Sequence, residues 1–128
     1  MQRRVLIVED EILVALDLEW RLNDMGAEVV AIAADRKDAL AYAEKVDLAL
    51  VDVNLRDGAT GPDIGRELAS RYGVAVVFVT ANPAQIGSGL EGAIGVMTKP
   101  FTCKSLGAMM DYVDQRTEAR GEHPPVFH

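Results

Sequence analysis

Cysteine is almost missing from this sequence: Cys103 is the only one in 128 residues. An internal disulfide is therefore excluded, and so is a metal site built on paired thiolates. Only two histidines occur, His123 and His128, both near the C-terminus and without motif partners. Aromatic residues make up 5% of the chain against 49% hydrophobic residues overall, so a core must be assembled from Val, Leu, Ile and Ala. Positive charge is also short, with 13 Lys and Arg against 20 Asp and Glu and a formal net charge of -7. That balance argues against nucleic acid as a direct partner, because phosphate contacts need clustered Lys and Arg. No apolar run approaches the roughly 18 residues of a membrane span. Arg3-Arg4 are followed by only four apolar residues before Glu9, too few for a signal peptide. A cytoplasmic protein with no membrane partner is expected.

What is present is an alternation of short apolar runs and amphipathic stretches. Val5-Leu6-Ile7-Val8 reads as a strand buried on both faces, and it ends in Glu9-Asp10-Glu11. A helix follows over 12–25, with Leu18, Leu22 and Met25 on its apolar face and Gly26 as its stop. Glu28 to Ala33 is a second strand, and Asp35 can cap a helix over 36–45. Leu48 to Val51 is the third strand and runs directly into Asp52 and Asn54. An Asp- and Gly-rich loop leads to Pro62, suited to the first turn of a helix that Gly73 ends. Val74 to Val79 delivers Thr80 at its carboxyl end. Asn82-Pro83 can open a short fourth helix, which Gly87, Gly89 and Gly92 weaken by roughly 1 kcal/mol each relative to Ala. Ile94 to Met97 delivers Thr98-Lys99-Pro100, and Thr102 caps a last helix with Leu106, Met109, Met110 and Val113 as its apolar stripe. Residues 1–118 form one domain, and 119–128 read as a polar, frayed tail.

Strands alternating with helices imply right-handed βαβ crossovers and a parallel sheet covered on both faces. The expected fold is α/β, a flavodoxin-like doubly wound sheet of five parallel strands in the order 2-1-3-4-5 with five helices. Its carboxyl edge collects Glu9, Asp10, Asp52, Asn54, Thr80 and Lys99. Three carboxylates this close repel one another unless a cation compensates. Hard oxygen ligands without a His or Cys cluster favour Mg²⁺ over Zn²⁺ or copper. An acid beside Mg²⁺, with an ammonium and a hydroxyl aimed at the same point, suits a transferring phosphoryl group.

Glu9-Asp10, Asp52, Thr80 and Lys99-Pro100, in that order at those strand ends, resemble the bacterial response-regulator receiver domain over roughly residues 4–116. The resemblance implies that Asp52 accepts a phosphoryl group from a sensor histidine kinase or a histidine phosphotransfer protein. It implies that Asp10 and Asp52 bind Mg²⁺ with Glu9 in support, and that Asn54 lends its backbone carbonyl. It further implies that Lys99 pairs with the phosphoryl group, that Thr80 donates a hydrogen bond, and that the Lys99-Pro100 bond is cis. Two positions depart from the usual receiver pattern: Val96 stands where a switch aromatic is common, and Arg56 where Pro is common. The Asp57-Gly58-Ala59-Thr60-Gly61 loop and the Thr80-Ala81-Asn82-Pro83 run are closer to receivers of general-stress phosphorelays.

Each residue also has a plainer reading. Glu9-Asp10 can be helix N-terminal acids, favourable by about 0.3–1 kcal/mol. Thr80 can be a strand-end hydroxyl and Lys99 a surface lysine, while Cys103 fits an inert thiol and Trp20 helix packing. The expected protein is a stand-alone receiver, monomer or homodimer, with no turnover beyond its own phosphorylation and dephosphorylation. Its expected docking face is that of the fourth helix, fifth strand and last helix, toward a kinase or a downstream effector. Two alternatives stay open. One is a degenerate receiver serving only as a scaffold. The other is a haloacid-dehalogenase-type Mg²⁺ phosphatase, which would want an acid where Asn54 stands.

Overall fold

The computed structural model describes residues 3–55, 60–82, 92–115 and 125–128. Among them the elements run β1 (Arg4–Val8), α1 (Ile12–Asp24), β2 (Glu28–Ala33), α2 (Arg36–Ala41), a 3₁₀ turn (Ala43–Lys45), β3 (Leu48–Asp52), α3 (Gly61–Tyr72), β4 (Ala75–Thr80), β5 (Ala93–Thr98), α4 (Cys103–Gln115) and β6 (Val126–Phe127). α4 is the last helix expected from sequence. The expected fourth helix falls on residues outside those described.

The sheet is parallel throughout, in the order β2-β1-β3-β4-β5-β6. All five residues of β3 are buried, as are Val5 to Val8 of β1. Burial on both faces explains why these strands read as continuous apolar runs rather than alternating ones. One core layer joins Val5, Ile7, Leu48, Leu50, Val77 and Val79 of the sheet to Leu18 and Leu22 of α1 and Leu106, Met109 and Val113 of α4. The other joins Leu6, Val8, Ala49, Val51, Val76 and Phe78 to Ala39, Ile64 and Leu68 of α2 and α3. Each fully buried Val, Leu or Ile contributes about 1.5–3 kcal/mol. Gly65 of α3 allows this contact, since a Cβ there would lie 2.6 Å from the Phe78 ring.

Local signals set the helix ends. The Asp35 carboxylate accepts from the Asp38 N–H at 2.9 Å. Gly73 closes α3 with φ 69°, and Gly26 follows α1 with φ 95°, left-handed values that glycine adopts without a Cβ penalty. At the start of α4 the Thr102 hydroxyl accepts from the Ser105 N–H (3.0 Å) and the Ser105 hydroxyl oxygen accepts from the Thr102 N–H (2.8 Å). This is a reciprocal capping box with Ser in the usual place of Glu.

Five expectations are corrected. The sheet has six strands, not five, because Val126–Phe127 pair parallel to Val96–Met97. The end of the tail is accordingly not frayed at residues 125–128: the open edge of β5 offers it hydrogen bonds, and the Tyr112 ring, 5.7 Å away between centroids, offers Phe127 a partner. The α2 helix stops at Ala41 and continues as a separate 3₁₀ turn. Trp20 does not pack between helices; it is 67% exposed, and Met25 has also left the apolar face of α1 at 37%. With Leu18 and Leu22 inward, residues 12, 13, 16 and 20 form a stripe on a different side of the helix.

Candidate functional site

Parallel register brings the candidate residues to one edge. β1 and β3 are neighbours with Val8 opposite Val51, so Glu9 and Asp52 leave adjacent strand ends together. Asp52 lies opposite Val79, which puts Thr80 one residue beyond it on β4. Thr80 in turn pairs with Thr98, and Lys99 follows. The Lys99 N–H donates to the Thr80 carbonyl at 2.9 Å, and the Lys99-Pro100 bond is cis, as the resemblance implied.

Side chains converge on Lys99. Its Nζ lies 2.8 Å from Asp52 Oδ2 and 3.0 Å from Glu9 Oε1. The other Asp52 oxygen, Oδ1, accepts from the Asn54 N–H at 3.0 Å, while Glu9 Oε2 accepts from the Glu11 N–H at 3.2 Å. Glu9 and Asp52 are buried, at 4% and 5% exposure, whereas Asp10 is half-buried. One carboxylate oxygen from each of Glu9, Asp10 and Asp52 lies within 4.8 Å of the other two. Burial, reinforced by the neighbouring Asp52 carboxylate, raises the Glu9 carboxyl from 4.5 to about 7, although Lys99 and the Glu11 N–H oppose the shift. Burial pulls the Lys99 ammonium downward, but its bonds to Asp52 and Glu9 outweigh that and leave it above its ordinary value. Among the described residues, one ammonium thus pairs with two members of a cluster of three carboxyl groups.

The sequence assigned Glu9 a supporting position, and its direct ion pair with Lys99 is the added finding. Thr80 is 4% exposed, and its hydroxyl oxygen accepts from the Asn82 N–H at 3.1 Å. That bond uses an oxygen lone pair and leaves the hydroxyl proton to be donated elsewhere. Asn54 is exposed and meets Asp52 through its N–H. Val96 is buried in β5 opposite Phe78, in place of a mobile aromatic. Arg56 and the 57–59 stretch lie outside the described residues. Sequence reading missed Gly61. A Cβ at that position would stand 2.1 Å from the Asp52 carbonyl oxygen and 2.8 Å from that of Val53. Only a glycine lets α3 begin against the backbone that carries Asp52, and the Gly61-Pro62 pair at a helix start was the available signal.

A cleft of about 440 Å³ opens beside Lys99, lined by Leu13, Val14, Asp17, Ala81, Pro100 and Phe101. Leu13 of that lining is 79% exposed, and α1 also exposes Ile12 (59%), Leu16 (46%) and Trp20 (67%). Cys103 is exposed, and Arg21, which also bonds Asp17, reaches its Sγ at 3.0 Å. No described helix is long and apolar enough to cross a membrane.

Comparison with known proteins agrees with this geometry. The phyllosphere-induced regulator PhyR of Methylorubrum extorquens is 32% identical over 131 residues, covering 96% of this chain and 49% of that protein. The solution structure of the receiver domain of the Erythrobacter litoralis PhyR response regulator superposes with a TM-score of 0.82 at 28% identity, covering 95% of this chain and 97% of that one. A variant of the anti-anti-sigma factor PhyR from Bartonella quintana superposes with a TM-score of 0.77 at 29% identity, covering 91% and 51%. This chain therefore spans about half the length of the curated relative it matches. Residues 5–111 match the family described as the response regulator receiver domain. With the fold, the strand-end acids and that match in agreement, the chain belongs to the response regulator receiver domain family.

Proposed function

We propose that Asp52 is the phosphoacceptor of a Mg²⁺-dependent switch, taking a phosphoryl group from the phosphohistidine of a sensor kinase or histidine phosphotransfer protein. The observation that carries this reading is the salt bridge of Lys99 Nζ to Asp52 Oδ2 at 2.8 Å inside a cluster of three carboxyl groups. That cluster fits a hard divalent cation: one ammonium leaves it anionic, and all its side-chain donors are oxygen. Glu9, Asp10 and Asp52 would hold the ion, with the Asn54 backbone carbonyl as a further oxygen ligand. Bound there, it supplies positive charge to the oxygens of the phosphoryl group.

This chain's residues then have distinct tasks. An Asp52 carboxylate oxygen forms the new bond to phosphorus while the bond from phosphorus to the donor imidazole nitrogen breaks, and that nitrogen keeps the electron pair. Lys99 gives up its salt bridge to the acceptor oxygen and pairs with the phosphoryl oxygens instead. Thr80 donates its hydroxyl proton to one of them. The Asn54 N–H stays on Oδ1 and holds the carboxylate plane. Docking of the donor is supported by the exposed apolar stripe Ile12, Leu13, Leu16 and Trp20, of which Leu13 lines the cleft beside Lys99. The chain's likeness to PhyR, a stress response regulator, supports a place in stress signalling through protein partners.

Intact mass after incubation with Mg²⁺ and acetyl phosphate tests the chemistry. A single phosphoryl adduct, labile to hydroxylamine, is expected in wild type and absent in Asp52→Asn. An adduct of equal yield in Asp52→Asn overturns the assignment, as does the lack of any adduct with both acetyl phosphate and a phosphorylated kinase.

A further inference from the structure

Without residues 125–128, β5 would be the outer strand of the sheet, and an outer strand presents unpaired N–H and C=O groups to any extended segment. In this chain the edge is taken. The Val96 N–H donates to the Pro125 carbonyl at 2.8 Å, and the Thr98 hydroxyl donates to the Phe127 carbonyl at 3.3 Å. Val126 lies opposite Val96 and Phe127 opposite Met97. The Phe127 ring rests over Gly95, where a Cβ would meet it at 3.2 Å, and tilts at 54° against Tyr112 of α4. Main-chain pairing with a seat for one side chain is the pattern of recognition by strand addition.

The hold is light. The paired strand has two residues, and Val126 remains 40% exposed. A segment held by so few bonds opens far more readily than β1 or β3, which are buried on both faces. It also pairs with the strand that leads directly into Lys99. We propose that the β5 edge is a docking site for an extended, aromatic-bearing segment of a partner protein, and that residues 125–128 occupy it in cis as a displaceable cap. The partner's chemistry is read from the occupant: a strand whose aromatic side chain fits over Gly95 and against Tyr112. Nothing in this depends on phosphoryl transfer to Asp52.

The test uses the whole chain, a variant with residues 125–128 replaced by Gly-Ser-Gly-Ser, and a synthetic peptide of residues 121–128 as probe. Titration is carried to about 5 mM by nuclear magnetic resonance, since a tethered cap competes at millimolar effective concentration. The peptide is expected to bind the replaced variant at least tenfold more tightly than wild type, and Gly95→Val in that variant is expected to abolish binding. Equal binding to both chains, binding to neither, or indifference to Gly95→Val overturns the proposal. So does a wild-type chain that is dimeric only while it keeps residues 125–128. Should the replaced variant fail to fold, amide exchange on full-length Phe127→Ala decides. Val96 is expected to lose at least tenfold in protection while Leu6 and Leu50 keep theirs, and unchanged protection of Val96 overturns the cap.

Discussion

At the scale of single residues, Glu9 is the group that departs furthest from its chemistry in water among the described residues. Its carboxyl is raised from 4.5 to about 7. The folded chain therefore binds more protons than the unfolded chain between those values, and stability from this group falls as pH rises across that window. A shift of this size corresponds to roughly 1–3 kcal/mol once partial exposure of the cluster is allowed for. Urea midpoints of the metal-free chain are expected to decline from about pH 4.5 to about pH 7, and Glu9→Gln is expected to flatten that decline. Gly61 makes a second prediction at this scale. Gly61→Ala puts a Cβ 2.1 Å from the Asp52 carbonyl oxygen, so the β3 terminus or the start of α3 must move. Loss of about 1–3 kcal/mol is expected from urea unfolding, together with slower adduct formation from acetyl phosphate. Asp52, Thr80 and Lys99 were legible in sequence because each ends an apolar run. The Glu9–Lys99 bond was not, because run endings place backbones, while side-chain pairing depends on which acid turns inward.

Among the elements, α1 separates packing from exposure. Leu22 is fully buried, whereas Trp20, two residues away, is 67% exposed. Leu22→Ala is expected to cost 2–5 kcal/mol in chemical unfolding, and Trp20→Ala to stay within about 0.5 kcal/mol. If the apolar stripe receives the phosphoryl donor, Trp20→Ala also slows transfer from a phosphorylated kinase while leaving the rate from acetyl phosphate unchanged. Equal slowing with both donors would assign Trp20 to the fold of the site rather than to docking. The helix itself was legible from its inward face, since Leu18 and Leu22 recur at helical spacing. The outward face was misread because a large aromatic in an amphipathic helix more often packs. Periodicity marks a second apolar stripe but does not say whether another element covers it. The same blindness applies to β6: Val126 and Phe127 follow two prolines in a polar stretch, and only the open edge of β5 makes a strand of them.

Across the whole molecule, the parallel register gathers negative charge at one end of the sheet, and a divalent cation there should act on the stability of the entire fold. The strand order 2-1-3-4-5 was legible because it follows from chain length and strict alternation. The charge at its carboxyl edge follows from that order, since β1 and β3 are adjacent. A ligand that binds only the folded chain stabilises it by RT ln(1 + [L]/Kd), about 2.7 kcal/mol at a hundredfold excess over Kd. Added Mg²⁺ is therefore expected to raise Tm progressively with concentration. The gain should be larger at pH 8 than at pH 5, because protonated Glu9 leaves the cluster less anionic below about 7. Asp10→Asn should remove most of the gain with a small effect on metal-free Tm, since Asp10 is the half-buried member of the cluster and has no part in the Lys99 salt bridges. Lys99→Met should do the reverse. It lowers metal-free Tm by exposing Glu9 and Asp52 to each other, and it enlarges the Mg²⁺ response by removing the cation that competes for the same oxygens. Differential scanning calorimetry of the three chains across a Mg²⁺ series reads all of these at once. Equal Mg²⁺ responses in wild type, Asp10→Asn and Lys99→Met would show that the ion acts as general salt on a chain of net charge -7 rather than at the strand ends.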